Sequence, residues 1–176
     1  MTTLPIRVFG DPVLSTPTRP VDDIDGRVAN LVERMFETMR AAPGVGLAAN
    51  QVGISRRLFV YDPGDRPTVV INPTIVATDG MWEYEEGCLS VPGYSWSILR
   101  PNEVHLRGYD LEGNEIEIEV DEFEGRILQH EMDHLDGILL VERLDDRQRR
   151  EAKRMLRQGA VQLDRDPDGL GQLLDG

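Results

Sequence analysis

The segment His130-Glu131-Met132-Asp133-His134 contains the side chains of this sequence best suited to bind a metal ion. Two histidines four positions apart project from one face of a helix, so both imidazoles can reach the same ion. A glutamate between them that is not a ligand can take a proton from water and return it to a leaving amine. The segment therefore favours a hydrolytic metal site over a chance pattern on a solvated helix face.

A catalytic site of this type needs a third protein ligand and keeps one coordination position open for water. In thermolysin-like proteases a glutamate from a later helix supplies it, which makes Glu142 and Glu151 candidates, although the spacing to Glu142 is short for that arrangement. The other candidate is Cys88, the only cysteine of the chain. A lone cysteine is more often an inert core residue than a ligand, so the residues alone leave the choice open.

Residues 44–53 form a segment of small side chains that lets the backbone approach a partner closely, and Gln51 adds an amide donor to it. The Gly-Lys-Ser/Thr ending of a phosphate-binding loop is missing, so a nucleotide site is not favoured. The simpler interpretation is an ordinary turn after the preceding helix.

The elements that must position these residues follow from hydrophobic spacing. An amphipathic helix is predicted over residues 26–42, with Asp25 as its N-cap and Pro43-Gly44 as its stop. Residues 57–61 and 68–72 are rich in β-branched and aromatic side chains and predict two short strands.

A second group of elements surrounds the metal motif. Alternating apolar residues from Val104 to Val120 predict an antiparallel pair with a turn at residues 111–114. From Asp121 the spacing becomes helical and stops at Asp136-Gly137, so the motif lies on a helix. A third helix is predicted for residues 145–158.

Together these elements predict an α+β fold in which short, mainly antiparallel sheets pack around a central metal-binding helix, with an N-terminal and a C-terminal helix. Residues 1–158 are expected to form a single catalytic domain, and residues 159–176, rich in Asp and Gly, a loosely ordered tail.

Composition excludes several classes of function. The net charge of -13 argues against a broad surface that binds nucleic acid through phosphates. No apolar run approaches the length needed to cross a membrane, and the N-terminus lacks the pattern of a secretory leader. A cytoplasmic location is therefore expected.

Three segments together resemble the peptide deformylase family. Its motifs are a Gly-x-Gly-Leu-Ala-Ala-x-Gln loop, Glu-Gly-Cys-Leu-Ser and Gln-His-Glu-x-Asp-His-Leu, which this chain contains in that order at residues 44–51, 86–90 and 129–135. The resemblance extends from about residue 6 to about residue 144. One departure is Asn50, where many relatives have proline, and it bears on the stiffness of the loop and not on the chemistry.

The resemblance implies removal of the formyl group, as formate, from the N-terminal formyl-methionine of newly made polypeptides. Cys88, His130 and His134 would bind one divalent metal ion, Fe²⁺ in the native enzyme, with Zn²⁺, Ni²⁺ or Co²⁺ as alternatives in purified protein. Hydroxide held by that ion would attack the formyl carbon, with Glu131 as general acid and base.

The resemblance also implies how the substrate is held. The Gln51 side chain and the Leu89 backbone N–H would stabilise the developing oxyanion. Backbone groups near Val45, Gly46 and Gly87 would bind the peptide in an extended form.

An apolar pocket would accept the methionine side chain, and by family position Phe123, Arg126 and Ile127 would help to line it. Core packing is an equally good interpretation for Phe123. The third histidine, His105, alternates with apolar residues of a predicted strand, so we expect it to face solvent without a role.

A basic cluster near the C-terminus suggests a second partner. Some bacterial deformylases use a C-terminal helix to bind the ribosome, and in this acidic chain the helix carries Arg147, Arg149, Arg150, Lys153, Arg154 and Arg157. A helical projection places these residues on one side and Ala152, Met155 and Leu156 on the other. The alternative is a solvated amphipathic helix that binds nothing.

Two other functions compete with the deformylase hypothesis. A peptidase could use the same helix to cut internal peptide bonds, and a binding module could keep the metal as a structural clamp. An internal peptidase would not need Cys88, and a closed structural site would have a fourth protein ligand in place of Glu131 and Gln51.

Overall fold

The computed structural model describes the backbone of residues 2–165 and the side chains of residues 2–159, and there seven strands form two sheets. In chain order they are β1 (Gly46–Ala48), β2 (Leu58–Tyr61), β3 (Thr68–Asp79), β4 (Trp82–Gly87), β5 (Ser95–Arg100), β6 (Glu103–Tyr109) and β7 (Glu115–Val120). The larger sheet has the order β1-β2-β3-β6-β7, and β4 and β5 form a second sheet. All neighbouring strands in both sheets are antiparallel.

The described α-helices are α1 (Gly26–Ala41), α2 (Glu122–Leu135) and α3 (Asp146–Arg165). The predicted cap of α1 is confirmed, because the Asp25 carboxylate accepts hydrogen bonds from the backbone N–H groups of Arg27 and Val28. Helix α2 ends as predicted at Asp136-Gly137, where Gly137 has φ of 72°. None of the helices in residues 2–165 has the length and apolar content that crossing a bilayer requires.

Strand β2 separates two buried clusters that lie on opposite faces of the larger sheet. Leu58 and Val60 belong to the cluster that contains the apolar face of α1. Phe59 and Tyr61 belong to the cluster that contains Leu128 and other apolar residues of α2. Successive side chains of a strand point to opposite faces, so the larger sheet lies between α1 and α2. The predicted α+β class with mainly antiparallel sheets is confirmed.

Several predicted boundaries differ from the structure. Residues 44–53, interpreted as a loop, contain β1 and a short 3-10 helix, Ala49–Val52. Strand β3 continues to Asp79, well past its predicted end. The sheet of β4 and β5 was missed, because acidic residues on β4 and exposed positions on both strands hide the usual β-strand pattern.

The chain divides into two compact units, Met1–Leu140 and Val141–Gly176. Helix α3 lies in the second unit and ends at Arg165, so the predicted helix end at residue 158 is wrong. A single glycine, Gly159, disfavours a helix only modestly, and the alanine, glutamine and leucine that follow favour one. The rest of the predicted tail, residues 166–176, lies outside the described residues. The predicted catalytic domain of residues 1–158 stays a prediction.

Candidate metal centre and catalytic cleft

Helix α2 presents the side chains of its histidine motif to the chain segment that follows β4. The Nε2 atoms of His130 and His134 are 3.1 Å apart, and the Cys88 Sγ lies 3.2 Å from the Nε2 of His134. All three ligand atoms lie within 4.8 Å of one another. Cys88 is therefore the third candidate ligand that the geometry supports.

Cys88 begins a tight turn directly after β4. The backbone N–H of Val91 donates to the carbonyl oxygen of Cys88 at 3.0 Å, and the N–H of Ser90 lies 3.4 Å from the thiol sulfur. Burial raises the pKa of the Cys88 thiol, but the charges of His134 and His130 outweigh burial and hold that pKa well below its usual value. The electrostatics of this site thus favour a thiolate, which is the form that binds metals.

A buried carboxylate, Glu86, orients the ring of His130. Its Oε1 atom lies 2.9 Å from the Nδ1 of His130, and its Oε2 atom accepts hydrogen bonds from Arg100 at 2.7 Å and Arg126 at 2.9 Å. Arg100 also donates to Asp133 at 2.7 Å. Because the Nδ1 of His130 faces Glu86, its Nε2 faces the ligand cluster, as in many metal sites where a carboxylate fixes a histidine ligand.

This buried network shifts the pKa values of its members. Burial raises the pKa of Glu86, but hydrogen bonds from His130 and Arg100 prevail and lower it to about 2. Burial lowers the pKa of His130, but the neighbouring Cys88 and Glu86 raise it well above its usual value. Glu86, Arg100 and Asp133 are not among the site residues predicted from the sequence. The position of Glu86 two residues before Cys88 was the available signal.

Glu131 lies beside the ligand cluster and is almost fully buried, at 3% exposure. Its Oε2 atom has no hydrogen-bond partner among the described residues. Burial raises the pKa of Glu131 to about 7, against the opposing charges of His130 and His134. A carboxyl group with this pKa can accept and release a proton near neutral pH, as a general acid and base must.

The backbone of Gly46 passes directly over Glu131. A Cβ atom built at Gly46 would lie 2.4 Å from the Oε1 of Glu131, well inside the contact distance. Glycine is therefore required at residue 46 if the Glu131 carboxylate is to keep its position.

The predicted oxyanion donors lie near the same cluster. The Oε1 of Gln51 accepts from the backbone N–H of Ala48 at 2.9 Å, which turns its Nε2 toward Ser90 Oγ at 3.1 Å and Cys88 Sγ at 3.7 Å. Within the described part of the chain, the Leu89 N–H forms no hydrogen bond. Both N–H donors are thus located where they can reach a small group bound beside Cys88.

A cleft of about 580 Å³ opens over these residues. The predicted site residues that line it are Val45, Gly46, Gln51, Gly87, Cys88, Leu89, Phe123, Arg126, Ile127, His130 and Glu131. His134, which is only 3% exposed, is the one predicted site residue outside this lining.

The three predicted pocket residues differ in exposure and contacts. Phe123 is 38% exposed and lies beside Tyr84, with 5.9 Å between ring centroids, so it is not a core residue. Ile127 is buried. The Arg126 guanidinium bonds Glu86 and the carbonyl oxygens of Ile98 and of Trp82, so only its aliphatic part can contact a ligand in the cleft.

The fold and the candidate metal centre resemble those of one class of protein, the metal-dependent amide hydrolases. The sequence model of the Polypeptide deformylase family matches residues 3–150. The chain belongs to this family of enzymes, which remove formyl groups from polypeptides.

Individual relatives agree with this assignment. The chain is 43% identical over 158 residues to a peptide deformylase of Acidothermus cellulolyticus, covering 90% of this chain and 88% of the relative. Over 108 residues, or 61% of this chain and 74% of the relative, it is 52% identical to a peptide deformylase of Clostridium botulinum.

Solved structures show the same fold. A peptide deformylase crystal structure from Thermus thermophilus superposes with a TM-score of 0.86 at 42% identity, covering 93% of this chain and 99% of that one. A peptide deformylase from Ehrlichia chaffeensis, crystallised in complex with actinonin, gives a TM-score of 0.86 at 36% identity. The match covers 90% of this chain and 98% of that one.

Proposed function

We propose that this chain removes the formyl group from N-terminal formyl-methionine, with Cys88, His130 and His134 binding one divalent metal ion and Glu131 transferring protons. The observation that carries the proposal is the convergence of three candidate ligand atoms beside a buried glutamate with a pKa of about 7, next to a cleft that Cys88, His130 and Glu131 line.

Fe²⁺ is the proposed ion. One thiolate and two imidazoles suit Fe²⁺, Zn²⁺, Co²⁺ and Ni²⁺, so the donor set fits a transition metal and not Mg²⁺ or Ca²⁺. The lowered pKa of the Cys88 thiol agrees with a ligand role. When bound, the ion would act as a Lewis acid that polarises the formyl oxygen and lowers the pKa of a water molecule.

Glu131 performs the proton transfers of the reaction. Its carboxylate takes a proton from the attacking water and later delivers a proton to the amine that leaves. Because its pKa is raised to about 7, the Glu131 carboxyl group can both accept and release a proton at neutral pH. Gly46, by lying directly against the carboxylate, limits the positions that Glu131 can adopt.

Gln51 and Leu89 stabilise the negative charge that develops on the formyl oxygen. The Gln51 amide is fixed by Ala48, so its Nε2 donor needs little reorganisation when the charge appears. The Leu89 N–H supplies a second donor on the same side as Cys88.

The peptide binds along the edge of the cleft. Backbone groups of Val45, Gly46 and Gly87 pair with an extended substrate, which tolerates varied residues after the methionine. Phe123, Ile127 and the aliphatic part of Arg126 provide an apolar surface for the methionine side chain.

The test is formate release from a formyl-Met peptide. Formate is expected from this substrate, and an internally cleavable peptide, supplied as a control, should remain intact. Cleavage of the control without formate release would favour an internal peptidase, and no reaction with either peptide would favour a binding module.

The identity of the metal is tested by elemental analysis of anaerobically purified protein and by oxidation. A ferrous ion with a thiolate ligand has two oxidisable partners, so peroxide should inactivate the iron form, and nickel substitution should protect it. Equal loss of activity in both forms, with Cys88 unmodified, would contradict the assignment of iron.

We also propose that α3 contacts the ribosome through a basic stripe, defined as Arg147, Arg150, Arg154 and Arg157. At 100° per residue these four positions fall within an arc of about 80°. All four side chains are exposed, and among the described residues they form no ion pair. A cytoplasmic location would follow from this partner.

The other residues of α3 modify the sequence prediction. Ala152 and Leu156 are buried as expected, but Met155 is 38% exposed, so it does not belong to the buried side. Arg149 and Lys153 are half-buried, and each has an acidic partner, Asp146 at 3.3 Å from Arg149 and Glu142 at 3.9 Å from Lys153. Their positive charges are therefore partly neutralised, and they contribute less than the basic stripe to the attraction of phosphate groups.

Ribosome co-sedimentation at rising salt tests the stripe. Four phosphate contacts would weaken binding by roughly a hundredfold between 50 and 200 mM salt. Changing Arg150, Arg154 and Arg157 to Glu should abolish binding and leave the hydrolysis of short formyl peptides intact.

The matched control changes the exposed residues Arg19, Arg27 and Arg40 to Glu, which alters the net charge equally. Ribosome binding should persist in this control variant. Unchanged co-sedimentation of the α3 variant, or equal loss in the control, would contradict a specific role for the stripe.

A further inference from the structure

The two candidate histidine ligands are held in different ways. His130 lies inside α2, and its Nδ1 contacts Glu86 at 2.9 Å. His134 is the second-last residue of α2, and its Nδ1 is buried without a hydrogen-bond partner among the described residues. At this helix end the carbonyl oxygen of His134 accepts a backbone hydrogen bond from the N–H of Gly137 at 3.1 Å, and its second lone pair can accept from another donor.

Asn50 makes a hydrogen bond at this point. Its side chain is fully buried, and its Nδ2 donates to the backbone carbonyl oxygen of His134 at 2.5 Å. A carbonyl oxygen can only accept, so the amide nitrogen must face it. The Oδ1 of Asn50 is buried without a partner in the part of the chain that the structure describes. Among the described residues, the Asn50 amide therefore forms its hydrogen bond through the nitrogen.

The next residue, Gln51, contacts the segment that carries the third ligand. Its Nε2 lies 3.1 Å from Ser90 Oγ and 3.7 Å from Cys88 Sγ. Asn50 and Gln51 share one 3-10 helix, Ala49–Val52. Two adjacent amides therefore contact the chain at both ligands, Cys88 and His134, which are 46 positions apart.

We propose that Asn50 is a positioning residue for the metal centre. Its hydrogen bond fixes the last turn of α2, and with it the imidazole of His134, relative to the segment that contains Gln51 and Cys88. This inference rests on the proposed role of Cys88, His130 and His134 as metal ligands. A purely stabilising hydrogen bond would affect the unfolding of the protein and leave the ligand geometry unchanged.

Cobalt substitution tests the proposal independently of activity. The full chain is prepared metal-free and loaded with Co²⁺, whose visible absorption reports the ligand geometry, and Co²⁺ release to a chelator is timed. Asn50→Ala should change the absorption and accelerate release by at least roughly tenfold, as loss of outer contacts to a ligand does elsewhere. Wild-type absorption and release in this variant would overturn the proposal, whatever its melting temperature.

A second variant covers the case in which Asn50→Ala does not fold. Asn50→Pro removes the same donor, and residue 50 occupies the second position of a 3-10 helix, where the helix itself does not use the backbone N–H. Faster Co²⁺ release is expected here too. Release at the wild-type rate would mean that the side-chain hydrogen bond does not position His134.

Thr18→Val is the matched control. The Thr18 Oγ1 donates to the carbonyl oxygen of Leu135 at 2.9 Å, one residue beyond His134. This variant should lower the melting temperature without changing the absorption or the release rate. Equal acceleration in Thr18→Val would show that any loosening of the α2 end suffices and would refute a specific role for Asn50. Failure of the wild-type protein to bind Co²⁺ would instead refute the proposed metal site.

Discussion

Two clusters in the first unit combine a histidine, a carboxylate and an arginine in almost the same pattern. One lies in the cleft around His130, and the other lies on the β6–β7 hairpin around His105. Each imidazole faces a carboxylate, Glu86 at 2.9 Å and Glu117 at 3.3 Å. Each carboxylate also accepts a 2.7 Å hydrogen bond from an arginine. Residue types and distances alone therefore do not distinguish a catalytic centre from a surface.

Burial separates the two clusters. The side chains of Glu86 and Arg100 are 4% and 5% exposed, whereas those of Glu117 and Arg107 are both 47% exposed. Water screens the charges of the exposed pair, so that pair contributes little to stability. The buried pair interacts at a lower effective dielectric constant, where losing a partner would leave a costly unpaired charge. The prediction that His105 faces solvent holds only in part, because its side chain is half-buried at 24% exposure while its partners Glu117 and Arg107 are exposed.

Burial thus distinguishes an ordinary surface ion pair from one that can give a candidate metal ligand a fixed support. Glu86 keeps its charge with a pKa of about 2 although burial opposes it. The pKa of Glu117 is also lowered, through hydrogen bonding to Arg107, but here the Nε2 of His105 faces the carboxylates of Glu117 and Glu119, and the cluster contains no cysteine.

The largest expected effect separates the clusters directly. His130→Ala should lose the bound metal and at least roughly a thousandfold in the rate of formyl-peptide hydrolysis, because it removes a proposed ligand. His105→Ala should retain both. Metal content and kcat/KM of the two variants check this, and a comparable loss in the His105 variant would mean that the exposed cluster contributes to catalysis.

The next effect isolates proton transfer from metal binding. Glu131→Gln should keep the metal and lose at least roughly a hundredfold in rate, since it removes the proposed acid/base group and leaves the three proposed ligands intact. Steady-state kinetics and elemental analysis of the same preparation provide the measurement. A rate near that of the wild type would show that Glu131 does not transfer the proton.

Replacing the supporting carboxylate, Glu86, should lower the reaction rate less than the two changes above, but it should clearly lower the stability of the folded protein. Glu86→Gln leaves two buried arginines short of a counter-charge, which should lower the free energy of unfolding by about 3–5 kcal/mol. Metal affinity should fall roughly 10-fold to 100-fold, because His130 loses its orienting partner. Urea unfolding and competition with a chelator measure the two quantities, and unchanged values in both would refute the supporting role of Glu86.

These contrasts explain what could be predicted from the sequence. The helical spacing that defines α1 and α2 is local, and so is the motif that contains His130 and His134. The resemblance supplied Cys88 and Gln51, which spacing alone did not connect to the motif. The network of Glu86 could not be read in this way, because Glu86 lies 44 positions before His130 and 14 before Arg100. For the other cluster a local signal did exist, because the alternation of His105 with apolar residues predicted a solvent-facing side of the strand.

A third cluster, formed by Tyr61, Glu124 and Arg66, is buried to an intermediate extent. It tests whether the influence of burial on a polar cluster increases gradually. Tyr61 is buried and its hydroxyl donates to Glu124 at 3.1 Å, while the side chain of Arg66, which also contacts Glu124, is 64% exposed. Burial, with the charge of Glu124, raises the pKa of Tyr61 to about 12.

The folded protein therefore keeps the Tyr61 proton more tightly than the unfolded chain, whose tyrosine titrates near pH 10. Its contribution to stability is fully present below pH 10 and is lost as pH rises to about 12, by at most about 2.7 kcal/mol. Tyr61→Phe should remove this part of the pH dependence. Equal slopes for the two proteins between pH 10 and 12 would contradict the prediction.

The smallest effect is expected at the exposed cluster itself. Glu117→Gln removes a carboxylate whose partners, Arg107 and His105, can both be solvated by water, so its melting temperature should change by less than about 3 °C. Because the pKa of Glu117 is lowered in the folded protein, the small contribution is present above the usual range of a glutamate and decreases as pH falls. Added salt should reduce it further, since salt screens exposed pairs. Thermal unfolding of the wild type and the variant at low and high salt measures this directly. A large, salt-independent loss in Glu117→Gln would mean that exposure does not account for the difference between the two clusters, and the contrast with Glu86 would then need another cause.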